Sequence, residues 1–214
     1  MTRSLTYQKI EINNYDNEKK LLQLEQNMKS IKTSPACSQR HLLVYHSLIE
    51  CVEYFLKQPK FIDVARTIYN TCKSIIDAQT GFAALVDEQG KCLDILHLDT
   101  GGATCTVKSN SSLPIRGLRK ETLQKRIPVC CNDFNKSKWL KLLPKGHVKL
   151  QNVLFAPIVI DQISVGLLGF ANKSENFTQD DIHIASSFAK LAALALSNSK
   201  AWHYMKIKPA YKKA

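Results

Sequence analysis

No apolar stretch of this sequence is long enough to span a membrane. A spanning helix needs about 20 consecutive apolar residues, whereas the longest candidate, residues 153–160, is followed by Asp161 and Gln162. The first residues, Met1 to Ser4, lead into polar sequence without the apolar core of a secretory signal. These absences predict a cytoplasmic protein that makes no contact with a membrane.

The sequence also lacks the short motifs that mark common catalytic and metal sites. It contains no Cys-x-x-Cys pair, no Gly-x-x-x-x-Gly-Lys phosphate loop and no zinc-protease helix. Serine, histidine and aspartate occur without a spacing that orders them into a triad. We therefore expect no catalytic residues and no metal site, and we interpret the protein as a non-enzyme.

The seven cysteines do not form a disulfide framework, because their number is odd and their spacing shows no pairs. A reducing compartment, with most thiols buried as small apolar side chains, explains them better. Cys130 and Cys131 are adjacent in a predicted strand, so their side chains point to opposite faces and do not readily chelate one ion. A redox role for Cys105 or for this vicinal pair stays open.

Positive charge is in excess and unevenly distributed. The formal net charge is +12, and residues 108–149 hold eleven Lys or Arg against two acidic residues, Glu121 and Asp133. Such a segment attracts anions, whether nucleotides, phosphate groups, nucleic acid or an acidic partner. A solvated surface is the simpler explanation. We do not expect nucleic-acid binding, because aromatic residues are not interleaved with the charges and no recognised motif is present.

The apolar periodicity predicts five helices. Residues 17–32 carry a narrow seam, as in a short coiled coil, and need a partner helix because two heptads are too few to be stable alone. Thr178, with Asp181 three residues later, resembles a capping box at the start of the last helix, which runs to about residue 202. The other three predicted helices are residues 39–57, 61–77 and 116–126.

Alternation and turn residues predict two hairpins. Residues 81–86 and 91–98 flank a turn that ends in Gly90, and residues 151–160 and 163–171 are joined through a two-residue connection, which implies antiparallel pairing. A further short strand is predicted at 127–131. Two segments, 105–115 and 132–147, are interpreted as loops, and one short strand within 105–115 is left open.

Three residues in the second hairpin carry extra information. Gly166 and Gly169 indicate that other groups pack closely against the backbone of its second strand, and Pro157 indicates a bulge or a sheet edge. Together the elements predict an α+β fold, in which a central antiparallel sheet is flanked by N- and C-terminal helices.

Several separated motifs, in this order, resemble the GAF domain family. One group is Pro114-Ile115-Arg116-Gly117-Leu118, Asn132-Asp133-Phe134 and Gly146-His147-Val148, which is similar to GAF domains of microbial sensor histidine kinases. The second group is the strand at 152–160, the glycine-containing strand at 165–173 and Phe177-Thr178 before the long helix. The resemblance covers roughly residues 61–200. It implies a GAF-like (profilin-like) fold and a regulatory or sensor role.

The resemblance divides the chain into a helical extension at 1–60, a sensor domain at 61–200 and a basic tail at 201–214. It implies a ligand pocket under variable loops on the sheet face opposite the helices. Asn172, Lys173, Phe177 and Asp181 fit most of an Asn-Lys-Phe-Asp-Glu motif of cyclic-nucleotide-binding members, with Ile182 in place of the final Glu. In this motif the Lys and the Asp can form a structural ion pair.

The pocket implied by the resemblance receives its ligand-binding candidates from several segments. The expected ligand is a small molecule. If it is anionic, the cations hold it, and Trp139 can cover an aromatic ring of the ligand. The predicted ligand-binding residues are Cys105, Arg116, Arg119, Trp139, His147 and Phe155, with Lys120 as a further cation.

The resemblance also implies how the domain signals. Ligand binding orders the loops between residues 105 and 149 and changes the packing of the terminal helices across a homodimer. No output domain follows Ala214, so we expect the signal to pass to a downstream signalling protein.

Other members of the family leave alternatives open. The first is an interaction scaffold without a ligand, whose pocket is closed by Trp139 and Leu143. The second is a haem-based redox or gas sensor, with His97 or His147 as the axial ligand. The third is an enzyme resembling free methionine sulfoxide reductase, which would use Cys105 and Cys130. No Cys-His dipeptide occurs, so a bilin chromophore is not expected.

Overall fold

The computed structural model describes residues 39–58, 60–108 and 111–199. The coiled-coil segment predicted at 17–32 and the basic tail predicted at 201–214 lie outside these residues. The chain divides into two compact units, 1–46 and 47–214, with the boundary inside the first described helix. The sheet and the candidate site belong to the second unit.

The described helices begin where the periodicity predicts them. Helix α2 ends two residues before the predicted position, because Asp77 adopts a left-handed backbone conformation with a φ of 56°. Residues 132–147, predicted as irregular, contain two short 3₁₀ turns, Phe134–Lys136 and Lys138–Leu142. The four α-helices are α1 (Gln39–Lys57), α2 (Phe61–Ile75), α3 (Leu118–Lys125) and α4 (Gln179–Asn198).

Six strands form one sheet in the order β3-β2-β1-β6-β5-β4, and every neighbouring pair is antiparallel. The two predicted hairpins are β1–β2 and β5–β6. This arrangement confirms the predicted α+β fold with a central antiparallel sheet and flanking helices. The strands are β1 (Thr80–Val86), β2 (Cys92–Asp99), β3 (Ser112–Pro114), β4 (Val129–Cys131), β5 (Val153–Ile160) and β6 (Ile163–Ala171).

The two faces of the sheet are covered differently. Helices α2 and α4 pack on one face and on each other, where Tyr69 of α2 stacks parallel to Phe170 of β6 with ring centroids 5.3 Å apart. The other face carries α3 and the 3₁₀ turns over an apolar cluster that includes Phe82, Leu123 and Phe134. Because side chains alternate along a strand, each strand supplies both layers.

The β5–β6 hairpin explains the unusual residues predicted there. Asp161 and Gln162 both have positive φ, 48° and 63°, which matches the primed turns that favour tight hairpins. Pro157 lies beyond the three β5 residues that pair with β4, and one residue before a register shift. It therefore occupies an edge next to a bulge, where its missing N–H breaks no ladder bond.

The end of β6 is tied to the start of α4, as the family motif implies. Lys173 pairs with Asp181 at 2.7 Å, and Thr178 forms the predicted capping box with Asp181. Asn172 accepts from the Gln151 amide at 2.9 Å, and Phe177 is buried. These contacts connect the last strand of the sheet directly to the longest described helix.

Candidate ligand cavity

A cavity of about 90 Å³ lies on the sheet face opposite α2 and α4, in the position that the family resemblance implies. Its lining comes from strands β1, β2, β3, β5 and β6, the start of α3 and the two long loops. All six predicted ligand-binding residues line it: Cys105, Arg116, Arg119, Trp139, His147 and Phe155. Contact with a ligand stays a prediction for each of them. Lys120 is exposed and does not line the cavity.

The floor of the cavity is made by two aromatic rings over a glycine. Phe82 of β1 and Phe155 of β5 both pair with Gly169 of the strand between them. Their ring centroids are 6.2 Å apart. A Cβ on Gly169 would lie 2.7 Å from the Phe82 ring and 3.1 Å from the Phe155 ring. The missing side chain therefore lets the two rings approach each other.

One wall is formed by the second 3₁₀ turn, which packs tightly against the start of α3. Gly117, the residue before α3, has a φ of 60°, and a Cβ there would meet Leu142 at 2.8 Å and Trp139 at 3.2 Å. Trp139 and Leu142 line the cavity, and so does Leu143. Glycine is needed at 117 both for its backbone conformation and for this close approach.

Two guanidinium groups lie at the cavity without an acidic partner among the described residues. Arg116 donates through Nη2 to the Leu142 carbonyl at 2.6 Å, and Arg119 donates through Nη2 to the Pro114 carbonyl at 3.1 Å. The Arg119 Nε is buried and has no hydrogen-bond partner. Burial, together with the charge of Arg116, lowers the pKa of Arg119 to about 10. Arg119 is therefore protonated at neutral pH.

The acidic side chain that lines the cavity, Asp99, is already engaged. It pairs with Lys73 of α2 at 2.5 Å and accepts from the Gly101 amide at 2.8 Å. Burial opposes ionisation of Asp99, but the hydrogen bonds from Lys73 and Gly101 outweigh it and lower the pKa of the carboxyl. Asp99 therefore does not neutralise Arg116 or Arg119.

Two loops meet over the cavity at Thr106. Its amide donates to the Gly146 carbonyl at 3.1 Å, and its hydroxyl donates to the Lys145 carbonyl at 3.0 Å. Cys105 and His147, the neighbours of these bonds along the chain, both line the cavity. His147 donates through Nδ1 to the Val148 carbonyl at 2.7 Å, so Nε2 of the neutral ring is an acceptor.

The two histidines considered for haem lie on different faces. His97 contacts the edge of the Tyr69 ring, with centroids 5.2 Å apart, and the Asn70 side chain at 3.2 Å, both on α2. Only His147 lines the cavity. A cavity of about 90 Å³ is also several times smaller than the roughly 300–1,000 Å³ of sites for drug-sized ligands. The residues present do not fit a haem unless the loops move apart.

The cysteines considered for catalysis are separated in the structure. Cys105 lines the cavity, whereas Cys130 and Cys131 do not. Cys131 packs against the apolar cluster on the cavity side, and the Cys130 thiol donates to the Asn132 side-chain oxygen at 3.6 Å. Burial raises the pKa of Cys130 to about 11, so this thiol is a weak nucleophile at neutral pH.

The described residues contain neither a metal-binding cluster nor a helix that could span a membrane. No group of three or more His, Cys, Asp or Glu side chains comes together there in a way that would hold a metal ion. None of the helices in the described ranges has the length and apolar character needed to cross a membrane.

Sequence reasoning missed the floor of the cavity and its acidic residue. Phe82 and Asp99 lie in strands that were predicted correctly, and Gly169 was noted only for close packing. What places them beside Phe155 is the order β2-β1-β6-β5 and its register. A strand pattern shows which residues share a face, but not which strands are neighbours.

Comparison with known proteins supports the same fold. The family model described as GAF domain matches residues 61–197. A curated relative, the methyl sulfide methyltransferase-associated sensor of Methanosarcina acetivorans, is 28% identical over 111 residues. That match covers 49% of this chain and only 11% of the relative, so this chain corresponds to a small part of that sensor.

Two solved structures are similar in fold. The GAF domain of a phosphoenolpyruvate-protein phosphotransferase from Coxiella burnetii has a TM-score of 0.66 and 13% identity, covering 78% of this chain and 99% of that one. The free methionine-R-sulfoxide reductase of Neisseria meningitidis, solved with its substrate, has a TM-score of 0.60 and 14% identity, covering 78% and 95%. At these identities the likeness concerns the fold alone.

Proposed function

Because the chain belongs to the GAF domain family, we propose that residues 61–197 form a regulatory sensor domain whose cavity binds a small anionic ligand. The domain acts by changing conformation and has no catalytic role. The observation that carries the proposal is the positive charge of Arg119, which lies half-buried at the cavity without an acidic partner among the described residues.

A buried charge is normally paired, because its transfer out of water is costly. Arg119 has a neutral carbonyl and a second cation, Arg116, as neighbours, and its Nε–H has no acceptor among the described residues. Such a charge needs an explanation, and an anion in the cavity is the simplest partner for it. The ligand therefore supplies the counter-charge that Arg119 lacks among the described residues.

The cavity is connected to the helices by the strand that forms its floor. Strand β6 carries Gly169 beneath the two rings and continues through Lys173, which pairs with Asp181 in the first turn of α4. A ligand that draws together Arg119 and the loops joined at Thr106 shifts the position of this strand. The change then reaches α4, where a twin subunit or a signalling partner reads it.

The regulatory role is favoured over catalysis by the positions of the thiols. The reductase considered from the sequence would use Cys105 and Cys130, but only Cys105 lines the cavity and burial keeps Cys130 protonated. The scaffold alternative would be favoured by a pocket filled by Trp139 and Leu143. Both side chains instead line the wall of a cavity.

Binding is tested by thermal unfolding and titration calorimetry with small anions, including phosphate, benzoate and a cyclic nucleotide. The matched variants are Arg119→Met and Arg126→Gln. Arg126 also donates to a backbone carbonyl, that of Gln162 at 3.1 Å, but does not line the cavity. Both variants remove one positive charge. A ligand at 100 times its Kd stabilises the folded state by about 2.7 kcal/mol.

We expect at least one anion to stabilise the wild type and Arg126→Gln, and to leave Arg119→Met unchanged. If every anion acts equally on the three proteins, the site is wrong and the scaffold alternative stands. Output through a homodimer is tested separately by light scattering. Leu194 of α4 is 37% exposed, so Leu194→Glu should dissociate a dimer that pairs through this helix face.

A further inference from the structure

We infer that the ligand is a compact apolar monocarboxylate, such as a benzoate or a short branched-chain acid. Its carboxylate lies against Arg116 and Arg119, and its hydrocarbon body rests on the floor formed by Phe82 and Phe155. This inference rests on the proposed function and specifies the chemical class of the ligand at the same cavity.

The polar part of the site matches a single carboxylate. Among the described lining residues, the fixed positive charges are those of Arg116 and Arg119, and neither has an acidic partner in that part of the chain. A guanidinium presents parallel N–H donors whose spacing suits the two oxygens of a carboxylate. The third oxygen of a phosphate would need further donors.

The interior part of the site matches a hydrocarbon. Besides Arg116 and Arg119, the lining includes polar side chains from Thr80, Asp99, Thr100 and His147, and most of the remaining lining is apolar. A nucleotide would place ribose hydroxyls and base nitrogens against this surface, and each unsatisfied polar group is costly to bury. The apolar lining includes Phe82, Leu98, Leu113, Phe134, Val153 and Phe155.

The size of the cavity limits the hydrocarbon to one ring or a few branched carbons. The cavity volume is about 90 Å³, which is less than the volume of about 150 Å³ of a cavity known to accept benzene. A hydrocarbon body larger than one ring therefore does not fit. The Thr106 bonds to the opposite loop restrict the opening further. Larger amphipathic anions, such as fatty acids, would need these bonds to break.

Calorimetric titration of the full chain tests the inference with three matched pairs of probes. Benzoate is compared with benzamide, 3-methylbutanoate with 3-methylbutanamide, and benzoate with phenyl phosphate. The shapes within each amide pair are alike, so the comparison isolates the charge. Each probe is titrated into the wild type, Arg119→Met, Arg126→Gln and Gly169→Ala.

We expect both carboxylates to bind the wild type at least tenfold more tightly than their amides and more tightly than phenyl phosphate. Arg119→Met should weaken carboxylate binding at least tenfold, and Arg126→Gln should leave it unchanged. Gly169→Ala, which pushes the rings of the floor toward the cavity, should weaken the binding of both carboxylates.

The remaining outcomes separate this inference from the proposed function. Tighter binding of phenyl phosphate or of the cyclic nucleotide than of either carboxylate overturns the carboxylate class but leaves an anion sensor. Equal binding of acids and amides, or no binding of any anion, overturns both. If Arg119→Met fails to fold, Gly169→Ala tests whether the ligand lies in the cavity, with the fold checked by circular dichroism. Loss of binding in this variant supports the cavity, and unchanged binding overturns it.

Discussion

Lys173 and Asp181 form an ion pair in which the carboxylate is completely buried and the ammonium side chain is only 11% exposed. The same Asp181 oxygen accepts from the Thr178 amide at 2.8 Å and the Thr178 hydroxyl at 3.1 Å. The pair thus fixes the exit of β6 and the entry of α4 through one atom. The pair therefore joins the strand of the cavity floor directly to the helix that is proposed to carry the signal.

Lys173→Met is expected to lower the free energy of unfolding by about 3–5 kcal/mol, because it leaves the Asp181 charge buried without its cation. Urea unfolding measures the change. The double variant Lys173→Met/Asp181→Asn should recover part of the loss, since the asparagine can still accept the capping bonds. A loss equal to the sum of the two single variants would contradict a direct pair.

Arg119→Met is expected to raise the stability of the unliganded protein while it removes anion binding. The pKa of Arg119 is lowered to about 10, so at neutral pH its charge costs up to about 3 kcal/mol at 1.36 kcal/mol per pKa unit. The lost bond to Pro114 offsets part of this gain, and we expect Tm to rise by a few degrees. Arg126→Gln should not raise Tm. A lower Tm for Arg119→Met would indicate a structural role for the guanidinium.

Gly169→Ala and Gly166→Ala are expected to separate binding from stability. A Cβ at 169 meets the mobile ends of the Phe82 and Phe155 rings, whereas one at 166 meets the Ala84 backbone carbonyl at 2.6 Å. Overpacking costs about 1–3 kcal/mol in each case. Only Gly169→Ala should also weaken ligand binding, because Gly166 does not line the cavity. Equal affinities in both variants would place the ligand elsewhere.

Tyr69→Phe is expected to leave stability unchanged or raised. The Tyr69 hydroxyl is buried without a hydrogen-bond partner among the described residues, and burial raises the pKa of the phenol. Removing it costs no bond and keeps the ring stacked on Phe170. Thr122→Val is the contrast, because the buried Thr122 hydroxyl donates to the Leu118 carbonyl at 2.8 Å, and it should cost about 0.5–1.5 kcal/mol. A Tyr69→Phe loss above 1 kcal/mol would show that a water satisfies the hydroxyl.

The ion pair between Asp99 and Lys73 should contribute stability that disappears in acid. The pKa of Asp99 is lowered in the folded state, so the contribution is fully present above the unfolded value of about 3.9. It is lost as the pH falls through the folded-state pKa below that value. The wild type should therefore exceed Asp99→Asn in stability at pH 6, and the difference should shrink at pH 3. A difference that is independent of pH would exclude the ion pair as its cause.

Local signals were sufficient for the elements of this fold and for part of the site. The two-residue connection at Asp161-Gln162 and the capping box at Thr178 depend on neighbours within a few residues, and both are confirmed. The close packing predicted at the glycines of β6 is also confirmed, although the groups that approach them come from other strands. The third helix was predicted two residues too long, because a left-handed residue such as Asp77 leaves little trace in the apolar periodicity. The domain boundaries and the ligand contacts stay predictions.

From the sequence by itself, apolar period and turn chemistry determined the α+β class and the two hairpins, since both act over short distances. The resemblance to the family pointed to the residues that line the cavity from the loops. Only the tertiary structure decided that Phe82, Gly169 and Phe155 share one floor, that Asp99 is taken by Lys73, and that Arg119 is left without a counter-charge. The reason is that pairing of distant strands and the burial of a charge depend on which surfaces meet, and no local pattern records that choice.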